Sequence, residues 1–155
     1  MGTRLEEDIQ FMEMKIDSYI KEQFEIADVD IRTYSPLTLA YIGDGVFDLV
    51  IRSLIVGKGN TKASQLHYQT SHIVKAETQA KMIEALENDL TEEEADVYRR
   101  GRNAKSPTMA KNASMVDYRK ATGFEALMGF LYLKDDFPRV VELTKLGLER
   151  VNISV

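Results

Sequence analysis

The stretch Ser35-Pro-Leu-Thr-Leu-Ala-Tyr-Ile-Gly-Asp-Gly-Val-Phe-Asp-Leu-Val-Ile-Arg-Ser-Leu-Ile-Val56 decides the fold. Ser35 before Pro36 is a helix start, because a serine hydroxyl caps a free amide and proline at the first helical position lacks only an N–H that would be unpaired anyway. Apolar side chains then occupy nearly every direction around the helix axis, until Gly57-Lys-Gly-Asn60 stops it. A helix that is apolar almost all round is a buried one, so this segment is expected to be buried. Its charged residues are Asp44, Asp48 and Arg52, spaced i, i+4 and i+8 along one polar stripe. Asp48 and Arg52 suit a surface ion pair. Asp44 is expected to lie deeper. It is flanked by Gly43 and Gly45, whose missing side chains let another backbone or a ligand come close.

Outward from this helix the apolar positions keep helical spacing, and no alternating run is long enough for a strand. The fold class is therefore all-α. On the N-terminal side, residues 1–30 read as an amphipathic helical extension running from Leu5 to about Ile26. Leu5, Ile9, Met12, Ile16, Tyr19, Ile20 and Phe24 share its apolar face, and the main domain spans residues 31–155. On the C-terminal side the spacing predicts a short helix over Thr61 to Thr70 and a longer one over His72 to Glu87. Thr91-Glu-Glu-Glu94 is a capping box for a helix ending near Asn103. Two more helices follow, from about Met115 to Lys134 and from about Pro138 to Arg150, the latter started by Asp136.

The chain of 155 residues suits one compact domain with a short appendage. It shows neither signal-peptide regions nor an uncharged apolar run of membrane-spanning length, so a soluble, cytoplasmic protein is expected. Having no cysteine, it cannot use disulfides, thiolate metal sites or a cysteine nucleophile. The two histidines, His67 and His72, are spaced as ordinary surface or core residues. Gly57-Lys-Gly is too short for a Walker loop or a dinucleotide fingerprint, and no serine elbow is present.

The net charge of -5 conceals a strong asymmetry. Glu84 to Asp96 holds seven acids and no base, whereas Arg99 to Lys120 holds seven bases against Asp117 alone. A polyanion could dock on the second segment. Two solvated stretches of opposite sign explain the same pattern. Ala104 to Ser114 lacks periodicity and contains Pro107, so the basic segment is partly a loop, where binding residues concentrate.

Glu125 is the only charge between Ala121 and Leu133. A carboxylate in such surroundings needs a cation, a proton or another partner. Two readings remain open: a salt bridge to Arg52 or to an arginine of the basic segment, or a metal ion shared with Asp44. Two acids beside a basic loop suit magnesium, which takes carboxylate oxygens and keeps water ligands for chemistry on phosphates.

At Leu39-Ala-Tyr-Ile-Gly-Asp-Gly-Val-Phe-Asp48 and at Tyr118-Arg-Lys-Ala-Thr-Gly-Phe-Glu-Ala-Leu-Met-Gly-Phe-Leu-Tyr-Leu133 the chain resembles the ribonuclease III catalytic domain. It is more similar still to the Mini-III branch, which has that domain without a double-stranded-RNA-binding module; Arg100-Gly-Arg-Asn-Ala-Lys-Ser106 and Lys111-Asn-Ala113 carry that likeness. The resemblance runs from about Ser35 to Arg150. It implies a dimeric helical bundle and magnesium-dependent cleavage of double-stranded RNA, leaving 5′-phosphate and 3′-hydroxyl ends, with manganese able to substitute. For the Mini-III branch it further implies a 23S ribosomal RNA precursor as substrate and a large-subunit ribosomal protein as helper.

By the same resemblance, Asp44 and Glu125 are the catalytic, metal-holding acids, and Tyr41 matches an aromatic residue that plugs the partner subunit of a homodimer. Arg100, Arg102, Asn103, Lys105 and Lys111 are the residues expected to grip the RNA backbone across a minor groove. Longer family members carry two more acids, at the positions of Ala40 and Thr122 here. A single ion, or a second one recruited by the RNA phosphate, fits this reduced set. Two alternatives are a catalytically inactive RNA-binding member of the fold and an all-α nucleotide pyrophosphohydrolase using Glu84, Glu87, Glu93 and Asp96.

Overall fold

The computed structural model describes residues 16–105 and 114–155, which form seven α-helices and no strand. They are α1 (Ile16–Gln23), α2 (Pro36–Val56), α3 (Ala63–Val74), α4 (Ala76–Leu86), α5 (Glu92–Asn103), α6 (Met115–Leu133) and α7 (Phe137–Arg150). Short 3-10 turns cover Ile31–Thr33 and Glu87–Asp89. None of the described helices is long and apolar enough to cross a membrane.

The starts of these helices follow from local chemistry. Ser35 Oγ accepts from the Thr38 amide at 3.2 Å, ahead of Pro36. At α5, Thr91 Oγ1 accepts from the Glu94 amide and the Glu94 carboxylate accepts from the Thr91 amide, closing the expected capping box. Asp136 caps α7.

One boundary differs from expectation. The break between α3 and α4 falls at Lys75, three residues beyond His72, because side chains of the next helix turn back to cap α3. Thr78 donates to the His72 carbonyl at 2.9 Å and Gln79 to the Val74 carbonyl at 2.7 Å, satisfying orphan acceptors of its last turn.

The enclosed helix is α6, and α2, α4, α5 and α7 all pack on it. From Ala121 to Leu131 every residue except Glu125 is buried. By contrast α2, expected to be buried all round, is buried on one side only, through residues such as Leu39, Gly43, Phe47, Ile51 and Ile55. On its other side Tyr41 is 83% exposed, Leu49 54% and Val56 62%, because the described chain has no element that covers them. Phe47 and Phe124 join the two helices edge to face, with ring centroids 5.1 Å apart. Each buried ring contributes about 1.5–3 kcal/mol of apolar transfer.

An ion pair ties α5 to α7: Arg139 donates to both oxygens of the buried Glu94 at 2.8 Å. The guanidinium holds the Glu94 carboxyl below its ordinary pKa, against the opposing effect of burial.

The N-terminal half of the expected amphipathic helix, with Leu5, Ile9 and Met12, lies outside the described residues. The described part ends at Gln23 rather than near Ile26: Glu25 takes a φ of 54° and the Ile26 amide returns to the Lys21 carbonyl, a left-handed C-cap. α1 has no buried residue, and Ser18 fastens it to Asp135 by a 2.7 Å hydrogen bond.

A candidate metal centre at a helix crossing

α2 and α6 run antiparallel and touch backbone to backbone. A Cβ at Gly43 would lie 1.7 Å from the Glu125 carbonyl oxygen, and one at Gly129 would lie 1.9 Å from that of Leu39. Only glycine fits at either place. The crossing brings Asp44, the neighbour of Gly43, beside Glu125, and the two carboxyl groups face each other. Gly43 was legible as a point of close approach; its counterpart Gly129 was not. The available signal was its place one turn after Glu125. Among the described residues a Cβ at Gly45 would meet nothing within 4 Å, so packing among them does not use this glycine.

Glu125 is the deeper of the pair, half-buried, whereas Asp44 is exposed rather than sunk in the stripe as expected. Burial pushes the Glu125 carboxyl up to about 9, and the adjoining Asp44 carboxyl adds to that, as a hydrogen-bond partner and by its charge. The salt-bridge reading of Glu125 does not hold. Arg52 donates its Nε to Asp48 at 2.6 Å, and no ion pair reaches Glu125 among the described residues. Two carboxylates without a cation need a shared proton or a bound ion.

The donor set fits a hard divalent ion that keeps several waters. Ala40 and Thr122 are both buried, and the Thr122 hydroxyl donates to the Tyr118 carbonyl at 2.9 Å, so neither replaces the acids of longer relatives. No group of three or more His, Cys, Asp or Glu side chains suited to a metal occurs among the described residues.

α5 reaches α6 on another side, where a Cβ at Gly123 would lie 2.7 Å from Tyr98. It carries Arg100, which is exposed, and Arg102, whose guanidinium sits 5.6 Å from the centre of the Tyr98 ring. Asn103, the last residue of α5, and Lys105 are exposed, while Lys111 lies outside the described residues. Two other bases of the segment are already engaged, Arg99 with Asp96 at 2.6 Å and Lys120 with Glu84 at 2.5 Å.

The Ribonuclease III domain matches residues 37–136, which include both acids and the crossing. The chain belongs to the ribonuclease III family. It is therefore an endoribonuclease by class. The Mini-ribonuclease 3 of Clostridium tetani is 46% identical over 123 residues, covering 79% of this chain and 82% of the relative. That of Enterococcus faecalis is 44% identical over 79% of this chain and 94% of its own length. The Mini-ribonuclease 3 of a Thermoanaerobacter species is 40% identical over 89% and 97%. A crystal structure of a Fusobacterium nucleatum protein superposes with a TM-score of 0.71 at 27% identity, covering 79% of this chain and 94% of that one.

In this ribonuclease III-type fold the acidic stretch from Glu84 to Asp96 has a structural use. Glu84, Asp89, Glu93, Glu94 and Asp96 pair with Lys120, Arg150, Lys134, Arg139 and Arg99 respectively. Three of the four acids that a pyrophosphohydrolase would need are thus taken up in ion pairs, and family membership excludes that reading.

Proposed function

We propose that this ribonuclease III-type enzyme is a homodimer that cleaves double-stranded RNA with magnesium, or manganese in its place, held by Asp44 and Glu125. The observation that carries the reading is the pair of facing carboxyls, one exposed and one half-buried, with no ion-paired cation among the described residues. A divalent ion there supplies charge neutralisation at the phosphate and an activated water. Asp44 and Glu125 hold and orient it, and their proton must leave first. Because the chain offers two carboxylates rather than four, metal affinity is modest, and any second ion arrives with the RNA phosphate.

Arg100, Arg102, Asn103, Lys105 and Lys111 grip the duplex backbone. The apolar face of α2 that bears Tyr41 and Leu49 is the dimer surface, and a two-fold dimer carries two acid pairs, one for each strand of a duplex. Within this class we assign the paired ends of a 23S ribosomal RNA precursor as substrate, with a large-subunit ribosomal protein assisting. That assignment rests on the likeness to the Mini-III branch. The absence of cysteine suits a reducing cytoplasm, the compartment we assign. Residues 1–30 are the extension to the catalytic unit of residues 31–155. An inactive RNA-binding role is disfavoured, because binding alone has no use for two facing carboxyls.

The test is incubation of double-stranded RNA and Mg2+ with the native chain, Asp44→Asn and Glu125→Gln. Cleavage by the native chain only is expected. Cleavage that persists in both variants refutes the acid pair.

A further inference from the structure

Both histidines and Tyr68 stand outside the arrangement above. From Leu49 to Ala76 the sequence holds four bases (Arg52, Lys58, Lys62 and Lys75), both histidines and no acid, in a chain whose net charge is -5. This run forms the second half of α2, the turn after it, and α3. Arg52 is tied to Asp48, but Lys58, Lys62 and Lys75 are in no ion pair among the described residues.

Tyr68 projects from this basic surface. It is 69% exposed and lies nearly parallel to the His72 ring, centroids 6.4 Å apart and planes 13° from parallel. It forms the ridge between two shallow open pockets. One, of about 390 Å³, is lined by Asp48, Arg52, Ser64, His67 and Ser71. The other, of about 300 Å³, is lined by Lys58, Gln69, His72 and Ser154. Asp48 stands one turn beyond Asp44 on α2, about 6 Å along the axis, so the lining of the first pocket begins one turn from that acid.

An exposed ring backed by a second ring, among hydroxyl, amide and lysine donors, is a stacking platform for a nucleobase. A duplex keeps its base faces covered by stacking and offers only its backbone and groove edges to such a surface. Resting on the function proposed above, we infer that α3 binds the single-stranded RNA continuing from the cleaved duplex, with an unstacked base on Tyr68 and its phosphate at Lys58. The surface then reads where paired RNA ends.

The experiment compares cleavage of a blunt duplex with cleavage of the same duplex carrying a single-stranded flank, by the native chain, Tyr68→Ala and Tyr68→Phe. The native chain is expected to show a KM about five-fold or more lower for the flanked RNA, the scale of one stacked base. Tyr68→Ala loses that advantage, and Tyr68→Phe, which keeps the ring, retains it. Equal KM for the two RNAs in the native chain overturns the inference. So does an equal loss on both RNAs in Tyr68→Ala, or a fall in that variant's solution mass, which would mean that a second copy covers Tyr68. Failure of the native chain to cleave either RNA overturns the function proposed above, and this inference with it.

Discussion

Glu125→Gln keeps the shape of the side chain and removes its charge, so in metal-free protein it imitates the protonated acid that burial and Asp44 favour. The folded carboxyl sits at about 9 against an ordinary value of 4.5, so folding takes up a proton at any pH between the two. For an acid whose folded pKa is raised, the resulting cost is absent below the unfolded value. It grows by about 1.4 kcal/mol per pH unit and is fully present above the folded value. At pH 7, roughly 2.5 pH units above the unfolded value, it amounts to about 3 kcal/mol.

Glutamine does not incur this cost. In EDTA at pH 7 the variant is expected to melt about 6–12 °C higher than the native chain, on the scale for a domain of this size. The gap should close toward pH 4.5 and widen toward pH 9. Thermal melts followed by circular dichroism at several pH values measure it. A variant that is less stable, or a gap independent of pH, refutes the picture of a half-buried acid held beside a second carboxyl. Adding Mg2+ should then raise the native melting temperature and leave the variant's unmoved, because metal and proton compete for the same oxygens.

Three further outcomes are expected. Gly43→Ala drives a methyl into the Glu125 carbonyl and separates α2 from α6; it should cost about 3 kcal/mol or more in a denaturant melt and abolish cleavage. Arg100→Ala combined with Arg102→Ala should weaken RNA binding and flatten the slope of log affinity against log salt by about 1–2, and an unchanged slope would remove these residues from the interface. Tyr41→Ala, on the uncovered face of α2, should shift the chain toward monomer in sedimentation at micromolar concentration while leaving its helix content intact.

The helix starts were legible because a cap is a local event, a side-chain oxygen and an amide three residues on. Ser35, Thr91 with Glu94, and Asp136 all obey it. The α3–α4 break was misplaced because Thr78 and Gln79 reach back to carbonyls of another helix, which periodicity does not register. Both acid-bearing helices were expected to be buried; α6 is, and α2 is on one side only. α6 is enclosed because α2, α4, α5 and α7 pack around it, and α2 is half open because no described element covers the side bearing Tyr41, Leu49 and Val56.

The sequence by itself determined that the chain is helical, where the helices capped by Ser35, Thr91 and Asp136 begin, that Asp44 and Glu125 stand alone among apolar residues, and which family the motifs belong to. These depend on neighbours a few residues apart. Only the tertiary structure decided what Glu125 faces. The Asp48–Arg52 pair expected within the helix formed, and no arginine reaches Glu125 among the described residues. The glycine crossing then set Asp44 beside Glu125, because at Gly43 and Gly129 no side chain keeps the two backbones apart.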